Sequence, residues 1–231
     1  MKIFLDTANL DEIRHAVDLG VIDGVTTNPT LASKEGRSFR ELILEMCRLL
    51  TEGVVNAEVV STDTQGMLRD GRELASWHPN IVVKVPMTTD GVRTLHVLRS
   101  EGIRVNVTLV FSPAQALIAA KGGAYFVSPF VGRLDDTAEN GLGVLREIVE
   151  IYRVQNFSTQ VLAASLRHPI HVIQAAKMGA HIATMPFKVF EQLFKHPLTD
   201  RGLATFLTDW KKASRVLREI IDPDRTQAIE R

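Results

Sequence analysis

The sequence predicts an α/β chain folded as a single (β/α)8 TIM barrel with an additional C-terminal helix, and three observations carry that expectation. Eight short β-branched runs recur along the chain, amphipathic segments separate them, and polar residues stand in the second half of the runs. Strands alternating with helices imply βαβ units and a parallel sheet, and eight of them imply closure. A chain of 231 residues suits one such domain.

The runs are KIFLD (2–6), GVTTN (24–28), VVNAEVV (54–60), IVVKVP (81–86), IRVNVTLV (103–110), AYFVSPF (124–130), TQVLAAS (159–165) and HIATMP (181–186). Helix starts stand between them: Asn9 with Glu12, Ser38 with Glu41, Ser112 followed by Pro113, and Pro169 opening the seventh helix. Gly20, Gly53, Gly102, Gly123 and Gly179 fall near helix ends, where a left-handed cap is wanted. After the eighth helix, at 187–195, HPLTD reads as a turn. A further helix is then expected over residues 203–220, with Leu203, Phe206, Leu207, Trp210, Val216 and Leu217 on an apolar face. The domain expected is 1–220, with 221–231 a charged tail. No barrel position is left for that apolar face, so it is expected to pack on a neighbouring subunit or across the barrel.

Lys+Arg and Asp+Glu both number 27, and no basic stripe or aromatic platform stands out. Nucleic acid is therefore an unexpected partner, and a small substrate the expected one. Asp6 interrupts the short apolar start, so neither a signal peptide nor a membrane span is expected, and the default compartment is the cytoplasm. Cys47, the single cysteine, falls in the apolar pattern Phe39, Leu42, Ile43, Met46, Leu49 and Leu50 and reads as a core or boundary residue.

The stretch that carries chemistry is IVVKVP. Lys84 sits in a run that otherwise reads as a strand buried on both faces, and lysine is rarely buried without a reason. Desolvation disfavours an ammonium, and a neutral amine has the lone pair that a Schiff-base nucleophile needs. The competing readings are a lysine blunting a sheet edge or half of a structural ion pair.

Parity brings in the neighbours, because side chains two apart on a strand share a face. Phe4 with Asp6, Thr26 with Asn28, Asn56 with Glu58, Val82 with Lys84, Asn106 with Thr108 and Ser128 with Phe130 form such pairs. Six strands can thus aim a polar residue at one central volume, at the C-terminal strand ends where barrels place their sites. Taken singly, Asp6 could cap a helix, Asn28 shape a turn before Pro29, and Thr108 be a strand hydroxyl. Taken together, so many unpaired buried polar groups would cost ~1–3 kcal/mol each unless a ligand or water served them.

The stretches DTAN (6–9), GVTTNPT (24–30), VVKVPMT (82–88), NVTLVFSPAQA (106–116), SPFVGRLDD (128–136), AASLRHP (163–169) and HIATMPFKV resemble the small-subunit transaldolases and their relative fructose-6-phosphate aldolase. That resemblance implies a class I aldol transfer with no cofactor and no metal. It implies Lys84 as the Schiff-base lysine, Asp6 as the acid/base, and Glu58 with Thr108 as the holders of a water for proton transfer. Asn28, Asn106 and Ser128, with Thr26 and Phe130 beside them, would bind the dihydroxyacetone unit. Arg133, Ser165 and Arg167 would clamp the phosphate; they follow the sixth and seventh strands, and a guanidinium fork suits a dianion. The resemblance further implies a homo-oligomer, pentameric or decameric, acting on sugar phosphates.

The aldolase branch carries tyrosine where this chain has Phe130 and glutamine where it has Glu58, so the resemblance implies a transferase rather than a lyase. A non-catalytic phosphosugar-binding barrel is the alternative from another class; it would need the phosphate clamp but not Lys84, Asp6 and Glu58 together. His168 and His171 are close, yet no neighbouring carboxylate or cysteine in the sequence completes a metal set. Gly141-Leu142-Gly143 lacks the preceding strand of a dinucleotide loop, and Asp135-Asp136 reads as favouring the start of the sixth helix.

Overall fold

A computed structural model describes residues 1–213. The expected Val216, Leu217 and the 221–231 tail lie outside the described residues. The chain divides into two compact units, Met1–Gln192 and Leu193–Arg231.

The first unit holds eight strands: β1 (Lys2–Asp6), β2 (Gly24–Thr26), β3 (Val54–Glu58), β4 (Ile81–Pro86), β5 (Val105–Val110), β6 (Phe126–Pro129), β7 (Gln160–Ala163) and β8 (Ile182–Met185). They close in chain order into a barrel, every pair parallel, with β8 returning to β1. Closure removes both sheet edges, which disposes of the edge-strand reading of Lys84. Between strands run α1 (Leu10–Asp18), the short α2 (Pro29–Ala32) followed by a 3₁₀ turn (Ser33–Glu35), α3 (Phe39–Leu49), α4 (Thr64–Trp77), α5 (Thr89–Ser100), α6 (Pro113–Lys121), α7 (Val131–Asp135), α8 (Gly141–Val154), α9 (Pro169–Met178) and α10 (Phe187–Gln192). The chain is therefore a (β/α)8 barrel, as the eightfold rhythm predicts.

Local chemistry explains most helix starts. The Asn9 side chain accepts from the amides of Asp11 and Glu12, and Ser112 accepts from Gln115, leaving Pro113 the first helical position where no N–H is missed. Ser38 makes no side-chain cap, so α3 depends on burying Leu42, Ile43 and Met46 instead. Four of the expected cap glycines have positive φ; Gly53 does not. Its requirement is space: a Cβ there would stand 2.8 Å from the Asp23 carbonyl oxygen.

The barrel interior is layered by the same parity that the sequence shows. Phe4, Val82, Phe126, Leu162 and Ile182 form an apolar plug with Val54 packed on it. Phe4 faces Gly24 across β1 and β2, and a Cβ on Gly24 would lie 2.8 Å from the phenyl ring, so glycine makes room for the plug. Two residues further along, five of these strands carry Asp6, Asn56, Lys84, Ser128 and Thr184, a polar layer stacked on an apolar floor, while Ala164 on the remaining one stays with the apolar cluster.

In the second unit α11 (Pro197–Lys212) begins well before the expected Leu203. HPLTD is its first turn, not a connecting turn: His196 accepts from the Leu198 amide, Pro197 occupies the first position and Asp200 complements the helix dipole. Leu203, Phe206 and Leu207 are exposed along it. No described helix is long and apolar enough to cross a membrane.

Candidate active site

A cavity of about 420 Å³ opens at the C-terminal ends of the strands. Its walls include Asp6, Thr26, Asn28, Glu58, Lys84, Thr108, Ser128, Phe130, Arg133 and Ser165. Of the expected catalytic and substrate-binding residues, Asn106 and Arg167 are the two not on this wall.

Lys84 is only 5 % exposed, fixed on β4 by Val83 and Val85 packed on the other side of the pleat. Its Nζ lies 3.1 Å from Glu58 Oε2 and donates to the Thr27 carbonyl oxygen at 3.1 Å. Glu58 pairs directly with Lys84 in the β3–β4 register, so adjacent strand ends place the two groups side by side. The ion pair of Lys84 is with Glu58, and Asp6 lines the same wall. The reason is geometric, since neighbouring parallel strands approach far more closely than β1 and β4 across the barrel.

Asp6 Oδ1 accepts from Thr26 Oγ1 at 2.8 Å, and Thr26 Oγ1 is 2.7 Å from Thr184 Oγ1. Thr108 Oγ1 is buried with no hydrogen-bond partner among the described residues. Burial of an unserved hydroxyl is costly in a finished interior, so this one fits a surface completed by solvent or ligand.

Asn28 Oδ1 caps α2 by accepting from the Leu31 amide, which leaves Nδ2 as the side-chain donor available at the wall. Asn106 is fully buried behind the wall. It accepts from Ser128 Oγ at 2.7 Å and donates to Asn56 Oδ1 at 3.0 Å, and Asn56 in turn donates to the Val25 carbonyl. This ladder spans four strands and fixes the Ser128 hydroxyl as a donor to Asn106, leaving its lone pairs free.

Two backbone irregularities shape the rim. Between β5 and β6, Thr108 and Leu109 stand against the single residue Ser128, a bulge with Leu109 at φ 59°. Both bulged residues consequently line the cavity, which strict alternation would forbid. Ser165, at φ 57°, is the second non-glycine in the left-handed region at this wall.

At the expected phosphate end, the Arg133 guanidinium lies over the Phe130 ring, 4.8 Å from its centroid. Phe130 also packs edge-on against Phe111. The Ser165–Arg167 loop sits on α7: the Gly132 amide donates to the Ser165 carbonyl at 2.9 Å. Arg167 itself pairs with Asp136 at 2.6 Å, both half-exposed. Behind the loop, buried His171 accepts from the Arg167 amide and its Nε2 is 3.3 Å from Asp135 Oδ2. Desolvation, with His168 and Arg167 nearby, pushes that imidazole below the ordinary histidine range against the opposing pull of Asp135. Asp135 also accepts from Gly141, in keeping with the expected help at the helix start, whereas Asp136 serves Arg167.

The family model described as Transaldolase/Fructose-6-phosphate aldolase matches residues 3–222. The chain belongs to the transaldolase/fructose-6-phosphate aldolase family. Among curated members, a probable transaldolase of Herpetosiphon aurantiacus is 57 % identical over 212 residues, covering 92 % of this chain and 96 % of that protein. Probable transaldolases of Thermoanaerobacter sp. (56 % over 213 residues; 92 % and 98 % covered) and Aquifex aeolicus (57 % over 212; 92 % and 97 %) are similar to it as well.

Among the polar wall residues, the sequence reading leaves out Thr30 and Thr184. Ile182 and Thr184 form the same apolar–polar pair as Val82 and Lys84, so extending the parity test to the eighth strand would have found Thr184.

Proposed function

We propose that this chain is a transaldolase of the non-oxidative pentose phosphate pathway. It transfers a dihydroxyacetone unit from sedoheptulose 7-phosphate or fructose 6-phosphate to glyceraldehyde 3-phosphate or erythrose 4-phosphate. The observation that carries the reading is the buried Lys84 amine, beside Glu58 and open to a cavity that Asp6 also lines.

In this reading the Lys84 nitrogen adds to the ketose C2 carbonyl, and loss of water gives an iminium ion. Glu58 and Thr108 support this step: a carboxylate beside the amine and a hydroxyl lacking a partner are the groups that would hold a water able to relay protons. Asp6 then accepts the proton of the C4 hydroxyl. The C3–C4 bond breaks, its electron pair moves through C2 onto nitrogen, and the aldose departs, leaving an enamine on Lys84. The acceptor aldehyde reverses these steps: the enamine carbon attacks, Asp6 returns its proton, and water releases the new ketose.

Transfer rather than release is supported by Phe130. The phenyl ring at the wall carries no hydroxyl that could protonate the enamine carbon or activate water. Arg133 and Ser165 would bind the phosphate, with Arg167 joining them on leaving Asp136. Asn28 and Ser128 would hold the dihydroxyacetone hydroxyls, and Asn106 would act by orienting Ser128. We place the enzyme in the cytoplasm as a homo-oligomer, pentameric or decameric, which sedimentation of the purified chain tests.

The decisive experiment is borohydride reduction with fructose 6-phosphate followed by mass spectrometry. A covalent adduct on Lys84, absent in Lys84→Met, is expected. An adduct that persists in Lys84→Met overturns the assignment, and no adduct at all favours a non-catalytic phosphosugar-binding barrel.

A further inference from the structure

Thr184 is 2 % exposed, lies on the cavity wall, and has a role in none of the steps above. Its position follows from closure: β8 pairs with β1, Thr184 standing opposite Phe4, while β1 pairs with β2, Asp6 standing opposite Thr26. Three strands thus converge on one short chain of hydroxyl and carboxylate.

The direction of that chain follows from counting hydrogens. A threonine hydroxyl has one hydrogen to give and two lone pairs. Thr26 spends its hydrogen on Asp6 Oδ1 at 2.8 Å; were it turned to Thr184, an oxygen lone pair would face the carboxylate. The 2.7 Å contact between the two threonines must then be served by the Thr184 hydrogen. The order is Thr184 to Thr26 to Asp6, and each donation polarises the next.

We propose that Thr184 is a positioning residue for Asp6. Its hydroxyl holds the Thr26 hydrogen on Oδ1, so Oδ2 is the oxygen that exchanges a proton with the substrate hydroxyl. The inference rests on the reading of Asp6 as the acid/base.

The test measures kcat and KM separately for dihydroxyacetone transfer, with borohydride trapping run on the same samples. Thr184→Val keeps the side chain's shape and deletes the donor. The expected result is an adduct on Lys84 as in wild type and a kcat lowered about fivefold with KM within about twofold of wild type. Thr184→Ser should restore the wild-type kcat. A Thr184→Val kcat equal to that of wild type overturns the proposal, as does a loss carried by KM alone or Thr184→Ser behaving like Thr184→Val, which would assign the effect to the methyl group. Should Thr184→Val fail to fold, Thr184→Ala is read by the same criteria. Failure of the wild-type enzyme to form an adduct is a different outcome: it removes the transaldolase reading itself and this inference with it.

Discussion

Gly132 is where the smallest change should separate phosphate recognition from aldol chemistry. It sits in α7 beneath the Ser165–Arg167 loop, and a Cβ added there would fall on the Ser165 carbonyl oxygen, 2.6 Å from Arg167 Cγ and 2.8 Å from Arg167 Nε. Ordinary contact needs the loop to recede by about 1 Å, and a carbonyl oxygen of the backbone cannot rotate out of the way as a side-chain tip can. A displacement of that size at a binding group costs about a hundredfold in rate. Gly132→Ala should therefore lower kcat/KM for fructose 6-phosphate by about 30- to 100-fold, while costing roughly 1–3 kcal/mol of stability from overpacking. Lys84 and Asp6 lie on other strands, so the rate with unphosphorylated fructose should change less than threefold by order of magnitude. Parallel coupled assays on the two ketoses, with circular dichroism to confirm folding, make the comparison. Equal losses on both substrates, or no loss on either, would refute the argument that this loop holds the phosphate.

Phe130 should act twice: Phe130→Tyr should raise release of free dihydroxyacetone from fructose 6-phosphate, and Phe130→Leu, which removes the ring face under Arg133, should raise KM for phosphorylated ketoses about 2- to 10-fold. Unchanged release in the first variant and unchanged KM in the second would each discard the corresponding role. His171 should give stability an acid-side slope. Its folded value is depressed, so the unfolded chain binds more protons between the two values; the stability it contributes is present above about pH 6.5 and lost as pH falls through the folded value. Urea midpoints measured from about pH 7.5 down to about pH 5 should fall less steeply in His171→Asn than in wild type; parallel curves would reject the assignment. Cys47, 1 % exposed with its thiol pushed up to about 11 by burial, should react with a thiol reagent only after unfolding, and fast labelling of the native protein would contradict its placement in the core.

Much of the barrel was readable beforehand because its rules are local. Period-two alternation sets which strand residues face inward, and cap chemistry at Asn9 and Ser112 starts helices from interactions within four residues. The cap rule failed at HPLTD because His196, a residue outside the usual capping set, supplies the acceptor.

The sequence by itself determined that the first six strands would each present a polar residue at one end, and that a lysine would be among them, since both follow from side-chain alternation along a single strand. Tertiary structure alone decided the pairings: Glu58 rather than Asp6 beside Lys84, Asn106 behind the wall rather than on it, Arg167 turned to Asp136, and Thr184 joined to Asp6 through Thr26. Those pairings depend on register and barrel closure, which bring together residues far apart in the chain, and the bulge at Leu109 separately reverses alternation at the wall. No pattern within one strand carries that information, because the distance between two side chains on different strands is set by register and curvature, not by either strand's own spacing.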